Sequence, residues 1–123
     1  MLLREPRRIL AYRRAVDMRK SIDGLIGLVQ GVLQEDPLSG SLFVFFNRRA
    51  NYLKLVYWDR TGFCIFAKRL EHGRFSLPGD AITHELSARA FELVLDGIPL
   101  GGHRSHRVKA FHDAARESRL AQP

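Results

Sequence analysis

Apolar residues between Ser21 and Leu33 recur at a helical spacing. Ile22, Leu25, Ile26, Val29, Val32 and Leu33 stand at i, i+3, i+4, i+7, i+10 and i+11, which aligns them on one face of an amphipathic helix over residues 22–33. Asp36-Pro37 ends it, because the residue before a proline is pushed out of the helical region. Gly24, Gly27 and Gly31 each disfavour the helix by roughly 1 kcal/mol relative to alanine, which predicts a structural reason such as close packing on a sheet.

The pattern then changes to strands. Leu42–Phe46, Tyr52–Trp58 and Phe63–Leu70 are rich in aromatic and β-branched residues, and the turn-forming stretches Asn47–Asn51 and Asp59–Gly62 separate them. They predict a three-stranded antiparallel meander. With both turns tight, Phe46 pairs with Tyr52 and Trp58 with Phe63. One face then holds Phe43, Phe45, Leu53, Leu55, Tyr57, Cys64, Phe66, Lys68 and Leu70 as the core side. The other holds Leu42, Val44, Phe46, Tyr52, Lys54, Val56, Trp58, Phe63, Ile65, Ala67 and Arg69. That face is too apolar for free exposure, so another element or a ligand is expected to cover part of it.

A second helix begins at Ser87, a favourable N-cap. Leu86 and Phe91 are placed to staple its start, and Gly97 ends it. A short strand near Ile9–Tyr12 is expected to add an edge to the sheet. From Gly101 the chain is polar and basic, and only Val108, Phe111 and Leu120 hint at a weak helix. The expected architecture is a single α+β domain over residues 1–100, an antiparallel meander of three to five strands packed against two helices. A basic, mobile tail is expected over 101–123.

With 123 residues, 46% of them hydrophobic, the chain has enough apolar content for one core and is near the usual domain size. No run approaches a membrane span, and no apolar segment has signal-peptide length, so a cytoplasmic protein without a membrane is expected. Its single Cys64 excludes an internal disulfide and a thiolate-rich zinc site. The net charge of +7 is distributed in blocks. Residues 1–20 carry seven Lys and Arg against two Asp and Glu, and residues 48–74 repeat that balance. Residues 103–123 carry five cations against two acids, while 21–47 and 75–102 are net acidic. Segregated positive blocks favour a polyanion partner over ordinary solvation.

Little in the chain points to chemistry. A two-metal nuclease needs convergent carboxylates, but Asp59 reads as a turn residue, Asp36 as a helix-end residue before a proline, and Asp17 lies among arginines. Asp80 and Asp96 complete the candidates. His103 and His106 are spaced to share a helix face, yet with His112 they fall in the tail, and His72 and His84 have no cysteine nearby. Cys64 reads as a core residue within an apolar strand. No phosphate loop of the G-x-x-x-x-G-K type occurs. No catalytic residue, metal or cofactor is expected.

The run Asp17-Met18-Arg19-Lys20-Ser21, then Asp23-Gly24-Leu25 and Asp36-Pro37-Leu38-Ser39-Gly40 leading into Leu42-Phe43-Val44-Phe45, resembles a known family. The likeness continues through Asn47-Arg48-Arg49, Leu53-Lys54-Leu55, Tyr57-Trp58-Asp59, Gly62-Phe63-Cys64 and Lys68-Arg69-Leu70-Glu71-His72-Gly73-Arg74-Phe75, covering about residues 9–98. The family is that of the TnpB-type accessory proteins, the second open reading frame of the insertion-sequence sixty-six family. These proteins are encoded beside a separate transposase. The chain departs from the family pattern at its Arg-rich lead and over Gly101–Pro123. The resemblance implies participation in transposition, with DNA binding the usual supposition, and no catalytic residue carries over from it.

The residues expected to meet nucleic acid are Arg48 and Arg49 at the first hairpin tip, Arg60 in the second, and Lys68, Arg69 and Arg74 on and after the third strand. Lys54 joins them on the mixed sheet face. Adjacent guanidiniums can grip phosphates, although a solubilising turn has the same composition. Arg19 and Lys20 precede the first helix, where cations oppose the helix dipole unless an anion binds there. Tyr52, Trp58 and Phe63 offer either a base-stacking platform or part of the core. The expected partners are DNA, in duplex form and including the element's ends, and the transposase. A module that docks on the transposase without touching DNA is the competing reading.

Overall fold

The computed structural model describes residues 7–100. The expected basic tail, with His103, His106 and His112, lies outside the described residues. Five strands form one sheet: β1 (Ile9–Tyr12), β2 (Leu42–Phe46), β3 (Tyr52–Asp59), β4 (Gly62–Arg69) and β5 (Thr83–Leu86), in the spatial order β4-β3-β2-β1-β5. Helix α1 (Ile22–Leu28) lies between β1 and β2 in sequence, and α2 (Ala88–Leu95) follows β5. The fold is α+β, as expected. All strand pairs are antiparallel except β1 with β2, which run parallel.

That parallel pair corrects the expectation for the first strand. β1 does not add an edge, because it lies between β2 and β5 with Ile9, Leu10 and Ala11 buried. The α1 segment supplies the long crossover that parallel neighbours need.

The first hairpin also differs from the expected register. Phe46 pairs with Leu53 rather than Tyr52, and the Asn47 N–H donates to the Tyr52 carbonyl at 3.0 Å, so the loop is residues 48–51. Ala50 adopts a left-handed conformation (φ 57°) to close it. The second hairpin pairs Trp58 with Phe63, as expected. A one-residue slip turns every side chain of a strand to the other face. Leu42, Val44 and Phe46 therefore share a face with Leu53 and Leu55, and Phe43 and Phe45 share one with Val56.

Both faces of the central strands are buried. On one, Ile9, Ala11, Leu42, Val44, Phe46, Leu53 and Leu55 pack with Phe75, Leu77, Leu86 and the α2 residues Phe91 and Val94. On the other, Leu10, Phe43, Phe45 and Val56 pack with Val16 and with Leu25 and Val29 of the first helical segment. Each fully buried large side chain contributes about 1.5–3 kcal/mol. The element expected to cover the mixed face is thus α1, with α2 on the reverse. At α2, the Ser87 hydroxyl accepts from the Ala90 N–H at 3.0 Å, and Gly97 follows the helix in the left-handed region (φ 74°).

The helix expected over 22–33 is α-helical only to Leu28, and Val29–Leu33 widen into a π-helical turn that Gln34 closes with φ 56°. Close packing does not explain its glycines. A Cβ added at Gly27 or Gly31 would meet nothing within 4 Å, and one at Gly24 would first meet the Lys20 side chain, at 3.2 Å.

Candidate nucleic-acid interface

Because β1 and β2 are parallel, the segments that follow them leave the sheet at the same end. The Val16 N–H donates to the Phe46 carbonyl at 2.8 Å and ties these two exits together. β3 starts at that end and β4 finishes there, so the 48–51 loop and the chain after Arg69 gather beside them.

Asn47 builds the loop. Its Oδ1 accepts from the backbone N–H of Asn51 at 3.0 Å and of Tyr52 at 3.1 Å, and its Nδ2 donates to Asn51 Oδ1 at 2.8 Å. From beneath, the Phe75 N–H donates to the Ala50 carbonyl and the Leu70 N–H to the Asn51 carbonyl, at 2.7 and 2.8 Å. Every hydrogen-bonding group named here belongs to residues flanking the tip. Arg48 and Arg49 themselves are exposed, and their side chains meet no acid or acceptor among the described residues. An open cleft of ≈ 530 Å³ lies between the two exits, lined by Ala15, Val16, Asp17 and Met18 on one side and Asn47, Arg48 and Arg49 on the other.

The expected site residues divide into three groups. Arg19, Lys20, Arg48, Arg49, Arg69 and Arg74 lie at this basic end. Arg19 forks onto Asp17, with Nη2 to Oδ2 at 2.8 Å, and this guanidinium together with the Arg19 backbone N–H holds the Asp17 carboxyl down to about 2. Arg69 is near Glu71, with Nε and Oε2 3.8 Å apart. Arg74 is half-buried behind the loop.

Lys54 and Lys68 are engaged within the fold instead. Lys54 Nζ donates to the Lys20 carbonyl at 2.8 Å, anchoring the entry to α1. Lys68 Nζ donates to the Leu95 carbonyl at 2.7 Å and approaches Asp96 at 3.9 Å, placing a cation at the negative end of α2. Arg60 occupies the β3–β4 turn at the opposite end of the sheet, next to its Asp59 neighbour at 3.7 Å. Of the aromatic candidates for stacking, Tyr52, Trp58 and Phe63 are half-buried. Trp58 packs edge-to-face on Phe63 with centroids 5.0 Å apart, and α1 lies over the middle of that face.

Arg14 is a residue that the strand pattern did not single out. It is exposed, follows β1 into the same basic end, and has no partner among the described residues. Its neighbour Arg13 is occupied, donating to the carbonyls of Ala81 at 2.7 Å and Pro78 at 2.6 Å, and burial lowers its pKa. The parallel pairing of β1 with β2 puts the end of β1, which Arg14 follows, at the same end of the sheet as the loop of Arg48 and Arg49.

Among the described residues, no three His, Cys, Asp or Glu side chains are grouped so as to hold a metal. Asp36 accepts from the Leu38 N–H at 2.9 Å, and Asp17, Asp59 and Asp96 each face a cation. No helix among these residues is long and apolar enough to cross a membrane.

Comparison with known proteins places the chain among mobile-element proteins. The family model described as IS66 Orf2 like protein matches residues 7–105. The chain is 37% identical over 93 residues to uncharacterized protein y4jC of Sinorhizobium fredii, a match spanning 74% of this chain and 79% of that one. It is 42% identical over 85 residues to uncharacterized protein y4hO of the same organism, over 67% and 72% of the two chains. No solved structure matches significantly.

Proposed function

The chain belongs to the IS66 Orf2-like family of insertion-sequence accessory proteins, and we propose that it serves transposition by gripping DNA phosphates with the basic end of its sheet. The observation that carries this reading is the set Arg14, Lys20, Arg48 and Arg49. All four side chains are exposed, on segments that the Val16–Phe46 hydrogen bond holds together; Arg14, Arg48 and Arg49 face no acid among the described residues, and Lys20 shares with Arg19 the carboxylate of Asp17. By contrast, Arg19 and Arg69 at the same end, and Arg8, Arg60, Lys68 and Arg89 elsewhere, each face an acid. Cations held on a braced turn without internal partners are available to displace counterions from a phosphate backbone. Backbone gripping of this kind fixes position and register without reading sequence, which suits an accessory role beside a separate transposase.

Arg69 and Arg74 extend the same end and assist the grip. Lys54, Lys68 and Arg60 take no part, since the first two are engaged by backbone carbonyls and the third lies at the far end. The protein acts by binding and performs no catalytic step in this reading. It works in the cytoplasm, where the element's DNA and transposase are found. The test is retention of duplex DNA by the purified protein in the absence of the transposase. Retention that weakens with rising salt supports the proposal. No DNA affinity, combined with co-purification with the transposase, would replace it with a docking module.

A further inference from the structure

The two edges of the sheet are built differently. β5 spans four residues, Thr83-His84-Glu85-Leu86, and Arg8, just before β1, reaches Glu85 on it. Short, polar edges of this kind resist pairing with another strand. β4 is an eight-residue strand, Gly62-Phe63-Cys64-Ile65-Phe66-Ala67-Lys68-Arg69, with no proline and only its last two residues charged. No described element lies beyond it. Phe66 remains 37% exposed at its centre and Ala67 is exposed beside it.

The hydrogen-bond alternation shows which backbone groups remain open. Asp59 and Gly62 close the two-residue turn, and the Leu70 N–H donates back to Asn51, so even-numbered residues of this strand face β3. Phe63, Ile65, Ala67 and Arg69 therefore point their N–H and C=O groups outward. A row of such groups along an apolar strand is a template for one more strand.

We propose that this strand is supplied by a second copy of the chain, the two β4 edges pairing antiparallel about a two-fold axis at Phe66. The sequence of the edge selects that partner and that register. An axis at Phe66 sets Ile65 opposite Ala67 and Phe63 opposite Arg69 of the other copy, so all four outward residues of each strand are matched. An axis at Ile65 leaves Arg69 unmatched, and one at Cys64 leaves Ala67 and Arg69 without strand partners. The chosen register covers Phe66 with its own counterpart and places each Arg69 guanidinium beside an aromatic ring. It also keeps the cationic ends of the two strands apart, whereas parallel pairing would align them. The two sheets become one continuous sheet, with the basic end of each copy pointing in opposite directions along the strands.

Sedimentation equilibrium of the full chain at micromolar concentrations tests the proposal, with circular dichroism confirming the fold. The chain is expected to sediment as a dimer. Ala67→Pro removes an outward N–H without disturbing the β3 ladder, and it raises the dissociation constant by about tenfold or more. A monomer at every concentration overturns the proposal, as does a folded Ala67→Pro protein that dimerises unchanged. Should that variant fail to fold, cysteine pairing decides. Cys64→Ser combined with Phe66→Cys is expected to form an intermolecular disulfide on mild oxidation, because facing residues of a non-hydrogen-bonded pair lie close enough to bridge. Cys64→Ser combined with Ile65→Cys is expected to bridge more slowly. The reverse order, or no bridging in either protein, overturns the Phe66 axis.

Discussion

Replacing Asn47 with alanine should separate the scaffold of the basic end from its cations. Asn47 is half-buried and accounts for three hydrogen bonds in the first hairpin loop: two accepted from the Asn51 and Tyr52 N–H groups and one donated to Asn51 Oδ1. Each such bond contributes about 0.5–1.5 kcal/mol net, and a loop this open lets water replace part of the loss, so Asn47→Ala is expected to cost roughly 2–3 kcal/mol. Asn47→Asp keeps the accepting oxygen and loses the donated bond, and should cost about 1 kcal/mol. The Arg48→Ala, Arg49→Ala double variant touches only exposed side chains and should stay within about 0.5 kcal/mol of the parent. Urea denaturation followed by circular dichroism gives all three differences as midpoint shifts at constant slope. An Asn47→Ala protein within about 0.5 kcal/mol of the parent would refute the view that this side chain holds the loop.

Phe45→Ala empties a fully buried site against Leu25 and Val29 and should cost about 3–5 kcal/mol in the same denaturation assay. Arg60 has φ 53° at the first position of a two-residue hairpin turn, where glycine is at ease, so Arg60→Gly should raise stability by up to about 1 kcal/mol. Carboxyl NMR should place the Asp17 titration at about 2, with Arg19→Gln moving it upward. The sign follows from the contact: Arg19 favours the ionised carboxylate, so the pairing is present above the ordinary carboxylate range and is lost as pH falls through about 2.

What could be read from the sequence was decided by local chemistry. The Ser87 cap, the strand runs and the Arg60–Thr61 turn each depend on residues close in the chain, and all stand where their composition places them. The face assignment of β2 did not follow, because it turns on one loop residue. Ala50 enters the left-handed region while Asn47 pairs across to Tyr52, and alanine carries no signal for that conformation. The partnership of β1 with β2 joins residues more than thirty positions apart, such as Ile9 and Leu42, and no local pattern announces it. From that one contact follow the central place of β1, the burial of both faces of the central strands and the inclusion of Arg14 in the basic end. The internal roles of Lys54 and Lys68 were hidden for a similar reason. Each cation is matched to a backbone carbonyl on a distant element, and a carbonyl has no residue identity to read.

The most direct test of the central claim is the salt dependence of duplex binding by the intact chain and by its Arg48→Ala, Arg49→Ala variant. Each neutralised phosphate contributes about 0.9 to the slope of log affinity against log salt, so losing both arginines should lower that slope by nearly 2 units. Affinity should fall alike for element ends and unrelated sequences, because phosphates carry no sequence information. A folded variant that binds with unchanged affinity and slope would contradict the account and move the contact away from the Asn47–Asn51 loop.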